Sequence, residues 1–442
     1  MPNLNKLRTA ISGGRGGDPA TDASLSRLAR LRISLTVFFA LDGFLFAGWV
    51  VRIPAIKQQT GASASDLGLA LLGVSAGAVV TMMFTGRMCK RVGSHPVTVV
   101  SMPLLALSIA LPAQTHSALT LGLVLLVFGA AYGSLNVSMN SAAVDFVAVL
   151  RRPVMSSFHA AFSLGGMAGA GLGGLVAGSL SVSTHLLALT GVGLLVTALA
   201  GPSLLRNTVP AAAGPAAPSK GTPAPRRLDR RTRRLVVLFG VIALCTAYGE
   251  GALADWGALH LAQDLDAGAG LAAAGYSLFA LAMTVGRLSG TALLERLGQT
   301  RTLVAGGLLA SLGMLLGALA PTTWLALAGF AVTGLGLANI FPVAVARAGA
   351  LAGPSGVAAA STLGYGGMLL GPPAIGFLAD WFSLPVALTT VALLAATAAL
   401  IAYAARNLSA PEPALPTDVP ADRARAGVPA DAPADAPAVP RH

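Results

Sequence analysis

Long apolar runs alternate with short polar segments along most of the chain. Each run approaches the ~20 residues that an α-helix needs to cross the hydrocarbon core of a bilayer. The pattern predicts twelve membrane-spanning helices, at residues 33–55, 67–87, 97–113, 118–143, 154–180, 184–204, 235–262, 271–291, 302–320, 323–346, 355–379 and 384–404. The chain is therefore expected to be an all-α membrane protein.

Positive charges are distributed unevenly among the predicted loops. Most of the 29 Lys and Arg residues lie in the N-terminal segment, in the loops after the even-numbered helices and in the C-terminal segment. The loops on the other side carry Asp66, Asp264, Asp266 and Asp380. Because cytoplasmic loops are enriched in Lys and Arg, the pattern predicts a multi-pass protein of the inner (plasma) membrane with both termini in the cytoplasm.

The polar segments divide the chain into five predicted regions. Residues 1–32 form a cytoplasmic tail, and residues 33–206 form a first bundle of six helices. Residues 207–234 are rich in Pro, Ala and then Arg, as expected for a flexible cytoplasmic linker. Residues 235–405 form a second six-helix bundle, and the low-complexity residues 406–442 are expected to be a disordered cytoplasmic tail.

Composition narrows the possible functions. The chain is 55% hydrophobic and only 10% charged, whereas soluble domains average about 25% charged residues. The net charge of +12 does not indicate nucleic-acid binding, because the cations lie between apolar runs. Walker A, H-E-x-x-H, Cys-cluster and Ser–His–Asp patterns are not found, so we expect neither an enzyme nor a metal or organic cofactor.

The chain also contains a weak internal repeat. Three pairs of short sequences recur in the same order: FAGW (46–49) with LADW (253–256), RVG (91–93) with RLG (296–298), and SLGGMAGAG (163–171) with GYGGMLLGP (364–372). The members of these pairs are 207, 205 and 201 residues apart. Such near-constant spacing predicts two homologous, pseudo-symmetric halves, as in many transporters.

In these features the chain resembles the major facilitator superfamily. The loop GRMCKRVGSH (86–95) is similar to the family's G-x-x-x-D-R-x-G-R-R motif, with Lys90 where the family usually has Asp. Residues assigned to this motif and its repeat are Gly86, Arg91, Gly93, Arg287, Arg296 and Gly298. Four stretches resemble the fucose-permease-like branch and its uncharacterised bacterial relatives: residues 48–72, 135–145, 158–171 and 249–261. The resemblance implies the major facilitator fold and transport by alternating access.

Ionisable groups inside predicted spans are functional candidates, because a charge in a bilayer costs several kcal/mol. Asp42 lies about nine residues, or ~14 Å, into the first predicted helix. Glu250 lies deep in the seventh between Gly249 and Gly251, and His159 lies one turn into the fifth. We assign Asp42, Glu250 and His159 as candidates for proton coupling. The alternative is a structural role for each.

Substrate-binding candidates are the polar and aromatic residues of the predicted spans. Tyr132, Asn136 and Asn140 recur every four residues and therefore share one helix face. Such a row can bind a polyol or can join helices by hydrogen bonds. The further candidates are Asn339, Tyr365, Tyr248 and Trp256. For Trp256 an interfacial aromatic belt is the alternative.

Arg52 and Asp255 lie at equivalent outer ends of the first and seventh predicted helices. We predict that they form an extracellular ion-pair gate between the halves. The alternative is that each side chain snorkels to water.

Together these features predict a secondary active transporter that moves a small solute, coupled to protons. Its partners would be that solute, protons and the lipid bilayer, with no nucleic acid, and the protein would be a monomer. The resemblance favours a sugar or other small polar compound. Because the predicted spans have few polar and aromatic groups, proton-driven efflux of a drug or secondary metabolite is the alternative. A transporter-derived sensor is a further, less favoured one.

Overall fold

The computed structural model describes residues 19–62, 64–177, 179–208 and 229–406. Within these ranges the regular structure is helical, with no β-strand. Much of the predicted linker and the C-terminal tail from residue 407 onward lie outside the described residues, as do residues 1–18 of the N-terminal tail. Residues 19–208 are called the N-terminal half below, and residues 229–406 the C-terminal half.

The N-terminal half contains seven α-helices and one 3₁₀ turn among its described residues. They are α1 (Pro19–Val50), α2 (Ile53–Thr60), α3 (Ala64–Val92), α4 (Ser94–Ile109), the 3₁₀ turn (Leu111–Gln114), α5 (Ala118–Leu150), α6 (Met155–Val176) and α7 (Val182–Arg206). The first predicted span, residues 33–55, extends beyond the observed helix. Helix α1 stops at Val50, and a separate short helix begins just before Pro54. Proline is favoured in the first turn of a helix.

The described C-terminal half contains six α-helices. They are α8 (Arg230–Gln263), α9 (Ala269–Ala318), α10 (Thr323–Leu337), α11 (Ile340–Ala352), α12 (Pro354–Trp381) and α13 (Leu384–Ala405). Helix α9 covers the eighth and ninth predicted spans, and non-helical Gly298 divides it into legs 269–297 and 299–318. The tenth predicted span is interrupted at Ala338–Asn339, between α10 and α11.

Nine helical segments of the described chain are long and apolar enough to cross a membrane. Helix α9 accounts for two of the predicted spans in a single segment. The glycine-rich helices α6 and α12 are not among the nine, although both are more than 20 residues long. Glycine contributes little to the mean hydropathy of a helix, which lowers the value for these two.

The two halves repeat the same helix packing. In the N-terminal half α1 packs on α6, α3 on α5 and α4 on α7. In the C-terminal half α8 packs on α12, and α9 packs on α10 and α13. Glycine allows the equivalent approaches: a Cβ on Gly165 of α6 would overlap the carbonyl of Ala40, and a Cβ on Gly367 of α12 would overlap that of Leu244. This agreement between the halves matches the repeat in the sequence.

The RVG and RLG sequences adopt similar turns. Gly93 has φ 98° and ψ 150°, and Gly298 has φ 77° and ψ 167°. Both lie in a region of backbone space that is essentially restricted to glycine. The spacing of these two glycines therefore reflects a turn that both halves need.

One end of the molecule, called the basic end, carries Arg91, Arg151 and Arg301. The halves are in contact there. A Cβ on Gly86 of α3 would lie 2.8 Å from the carbonyl oxygen of Pro354 in α12. Arg152 of the N-terminal half forms an ion pair of 2.6 Å with Glu295 of the C-terminal half. The basic end is therefore closed in this conformation.

Candidate functional site

Arg287 lies at the centre of a polar cluster between the halves. It is only 7% exposed, on the first leg of α9. Its Nη2 donates to Oε1 of Glu250 at 3.1 Å, its Nη1 to Oγ of Ser163 at 2.7 Å, and its Nε to the carbonyl of Ala338 at 3.3 Å. The sequence groups Arg287 with the cytoplasmic loop motif, but its side chain does not lie in a loop in this structure. The side chain is buried within a helix and joins α8, α6 and the end of α10.

The break between α10 and α11 explains one of these contacts. Pro342 has no backbone N–H to donate to the carbonyl of Ala338, four residues earlier. Nε of Arg287 supplies a donor to that carbonyl. The guanidinium also lies at the C-terminal end of α10, where the helix dipole favours a positive charge.

Asn339 stabilises the break between α10 and α11. Its Nδ2 donates to the carbonyl of Gly286 at 2.9 Å, and the residue is buried. A Cβ on Gly290 would overlap the Oδ1 of Asn339. The side chain proposed as a substrate ligand therefore has a structural partner in this conformation.

Glu250 is the partner of Arg287. Its side chain is 23% exposed, and only Oε1 contacts the guanidinium. Arg52, the other buried arginine of the predicted spans, has different hydrogen-bond partners. The flanking glycines give Glu250 its position, because a Cβ on Gly249 would meet Leu337 and Val391 at 3.0 Å.

Beside the cluster around Arg287, a row of hydrogen bonds connects α6, α5 and α12. Nε2 of His159 lies 3.1 Å from Oδ1 of Asn140, and Nδ2 of Asn140 donates to the carbonyl of Asn136 at 2.8 Å. Since that amide oxygen accepts, His159 donates through Nε2. Nδ2 of Asn136 then donates to the hydroxyl of Tyr365 at 3.4 Å, across the two halves. Four predicted site residues are therefore connected by consecutive hydrogen bonds.

Aromatic rings surround this row. Phe46 of α1 stacks on Tyr132 with centroids 5.0 Å apart, and Tyr132 meets Tyr365 edge-on at 5.9 Å. The ring of Phe341, just after the helix break, lies 5.8 Å from that of His159. Phe46 and Phe341 were not among the predicted site residues. Phenylalanines are frequent in apolar helices, so the sequence offered no signal for them.

Asp42 is completely buried, with 0% exposure. Neither of its carboxyl oxygens has a hydrogen-bond partner among the described residues. It lies one turn before Phe46 on α1 and within electrostatic range of Tyr132 and Tyr365. An ionised carboxylate in such surroundings costs several kcal/mol unless it is paired. Its environment therefore suits a carboxyl group that holds a proton.

Two other candidates lie farther from this row. The hydroxyl of Tyr248 is 2.9 Å from Oγ1 of Thr390, so it joins α8 to α13 within one half. Trp256 packs on Gly376 of α12, and its Nε1 is buried with no partner among the described residues.

Arg52 and Asp255 do not form the predicted ion pair in this conformation. Arg52 is 3% exposed and donates to Nδ1 of His185 at 2.7 Å and to the carbonyls of Ala177 and Val176 at 3.0 and 3.2 Å. All three partners belong to its own half, where the carbonyls at the end of α6 need donors. Asp255 is exposed.

The loop-motif residues lie at the basic end. Gly86 packs on α12, Gly93 and Gly298 form the turns described above, and Arg91 and Arg296 are exposed. The pair between Arg152 and Glu295 was not predicted, because pairing across the halves depends on how they dock. Ser163 was also missed, since a serine in a glycine-rich helix usually has a packing role.

Comparisons with known proteins agree with the resemblance in the sequence. A family model described as Major Facilitator Superfamily matches residues 33–290 and 241–438. An uncharacterized MFS-type transporter of Yersinia pestis is 32% identical over 377 residues, which cover 84% of this chain and 95% of that protein. The uncharacterized transporter y4wD of Sinorhizobium fredii is 34% identical over 380 residues, covering 82% and 95%.

Solved structures show the same fold. The transporter FucP, crystallised in the outward conformation, superposes with a TM-score of 0.70 at 18% identity, over 86% of this chain and 98% of FucP. The human organic anion transporter MFSD10 superposes with a TM-score of 0.68 at 16% identity, over 85% and 99%. The predicted resemblance to the superfamily and to fucose-permease-like proteins is confirmed.

Proposed function

The chain belongs to the major facilitator superfamily, and from this premise we propose that it is a proton-coupled secondary transporter for a small polar solute. Twelve spans in two six-helix bundles would lie in the plasma membrane, with both termini cytoplasmic and the protein a monomer. The bundles would rock around the polar cluster so that it opens to one side at a time.

The observation that carries this proposal is the buried carboxyl group of Asp42, whose oxygens have no hydrogen-bond partner among the described residues. In the present conformation the group holds a proton, because water and a counterion are excluded from it. In the alternate conformation water reaches it and the proton leaves. The cost of burying an ionised carboxylate, several kcal/mol, ties the proton to one conformation.

The solute would bind beside Asn136, Tyr132 and Tyr365. Their amide and hydroxyl groups can exchange hydrogen bonds with a hydroxylated solute, and the rings of Phe46 and Tyr132 can stack on it. FucP of E. coli, which shares the fold, is described as a fucose:proton symporter. That description supports a sugar-like solute here.

The closed basic end indicates which side is open. Contacts between the halves run from Arg152–Glu295 at the basic end to Asn136–Tyr365 at mid-height. Beyond them Asp255 and Tyr276 are exposed. If the basic end is cytoplasmic, this conformation opens outward.

The test is transport by the full chain in proteoliposomes that contain a pH-sensitive dye. A panel of sugars, sugar derivatives and toxic amphiphiles is added outside, and internal pH is recorded. Acidification driven by a small polar solute supports the proposal. Proton release driven by apolar compounds would instead establish efflux, and solute movement with no pH change would refute proton coupling.

A further inference from the structure

We propose that the solute carries one negative charge: a hydroxylated monocarboxylate of the sugar-acid type, whose carboxylate binds Arg287 in place of Glu250. This inference rests on the proposed function and specifies its substrate class. It follows from the donors that Arg287 has left, from the exposure of its partner, and from the balance of charge around the pair.

Arg287 has hydrogen-bond donors that its three present contacts do not use. A guanidinium carries five N–H groups, and the contacts to Glu250, Ser163 and Ala338 use one each. Two of the three contacts hold it from fixed positions: a backbone carbonyl and the hydroxyl of a packed helix. The guanidinium is therefore held in place even when Glu250 leaves, ready to bind a carboxylate through two parallel hydrogen bonds.

Glu250 is the partner that can be displaced. It contacts Arg287 by one oxygen, at 3.1 Å, and its side chain is more exposed than that of the arginine, 23% against 9%. Exposed Asp255 and Tyr276 lie toward the open side of the same two helices. A proton and a solute entering from that side reach Glu250 before they reach Arg287.

The charges of the groups around Glu250 and Arg287 determine which charge the solute must carry. The titratable groups around the pair are Asp42 on α1, Tyr132 on α5, His159 on α6, Asp255 on α8, Tyr276 on α9 and Tyr365 on α12. Arg287 is the only permanent cation in this set. When Glu250 takes up a proton on its carboxylate, the buried guanidinium is left without a counterion.

A neutral solute leaves that guanidinium unpaired, and a cationic solute adds to the excess charge. A monoanion restores the balance. At this site one proton on Glu250 and one solute carboxylate on Arg287 then cross together with no net charge, and the proton on Asp42 crosses in addition. After the solute and the proton on Glu250 have left on the other side, the pair of Glu250 and Arg287 forms again.

The rest of the solute must carry hydroxyl groups. Oδ1 of Asn136 is buried with no partner in the described structure, so it can accept a hydrogen bond from a hydroxyl. It is linked to Arg287 through Asn140, His159 and Ser163, along adjacent turns of α5 and α6. The acceptor and the guanidinium therefore lie on one continuous polar surface between the halves.

The test is ligand-dependent thermal unfolding of the purified full chain near pH 6. D-Galacturonate, D-galactose and D-galactosamine differ in charge and share a sugar ring. We expect only the acid to raise the unfolding temperature. Arg287→Gln should weaken this binding about 10- to 100-fold, the usual effect of losing a charged hydrogen-bond partner. Arg296→Gln, at an exposed position of the same leg, should leave it unchanged.

A second variant covers the case in which Arg287→Gln does not fold. Glu250→Gln keeps the arginine and removes its counterion, so it should bind galacturonate at least as tightly as the wild type. Stabilisation by galactose or galactosamine equal to that by the acid, or by no member of the series, overturns the inference. Proton-coupled transport of a neutral sugar would overturn it while leaving the proposed function intact.

Discussion

Ser163 and Arg287 lie in different halves of the chain and are joined by a hydrogen bond of 2.7 Å. The same serine hydroxyl donates to the carbonyl of His159, one turn earlier in α6. Arg287 in turn holds Glu250. The position of one half relative to the other is therefore linked directly to the ion pair that we assign to solute and proton binding.

Removing the serine hydroxyl should weaken the closed basic end. A hydrogen bond to a charged group contributes about 1.5–3 kcal/mol, so Ser163→Ala should shift the conformational equilibrium about 10- to 100-fold toward opening of the basic end. Spin labels at positions 91 and 296, on opposite halves, would report the change as a longer distance. Ser157→Ala is the matched control, because the Ser157 hydroxyl donates to the carbonyl of Val154 in its own half. An unchanged distance distribution in Ser163→Ala would contradict the link.

The contact at Gly86 should be equally sensitive to added volume. A Cβ there would lie 2.8 Å from both the Pro354 carbonyl oxygen and the Ala358 methyl group. Gly86→Ala should therefore favour the open basic end, measured with the same pair of labels. Gly171→Ala is the control, since a Cβ on Gly171 meets nothing within 4 Å. Equal behaviour of the two variants would show that the halves do not dock through α3 and α12.

The ion pair between Arg152 and Glu295 should contribute little by itself. Its side chains are 29% and 37% exposed, and exposed pairs are worth about 0–1 kcal/mol. We expect Arg152→Glu to raise the open population by no more than about fivefold, and the double exchange Arg152→Glu with Glu295→Arg to restore it. If the double exchange fails to restore closure, the two side chains do not interact in the membrane.

The turn at Gly298 should not tolerate a side chain. Its φ of 77° with ψ of 167° is strained for other residues by about 1–3 kcal/mol. Gly298→Ala and Gly93→Ala should each lower the unfolding temperature of the protein in detergent. Gly174→Ala should not, because its Cβ would enter open space at ordinary helical φ. A normal unfolding temperature for both turn variants would mean that the loops relax at no cost.

The sequence predicted much of the candidate site, because polar residues in apolar helices are conspicuous. Asp42, His159, Asn140, Asn136 and Tyr365 were all found this way, and four of them are joined by hydrogen bonds. The repeat in the sequence likewise agrees with the repeated helix pairs.

What the sequence did not reveal depends on how helices rotate and dock. Glu250 pairs with Arg287, and Arg52 binds the carbonyls at the end of α6 rather than Asp255. Ser163 looks like any serine in a glycine-rich helix. One signal could have been used: Pro342 frees the carbonyl of Ala338 and so predicts the break that Arg287 fills.

The most direct test of the central claim compares Asp42→Asn with Asp380→Asn, an exposed aspartate at the other end from the basic loops. Both are reconstituted and assayed for solute-driven proton movement and for exchange of solute at equal pH. We expect Asp42→Asn to lower the number of protons moved per solute and to retain exchange, while Asp380→Asn keeps both. An unchanged number of protons moved per solute in Asp42→Asn would contradict the account.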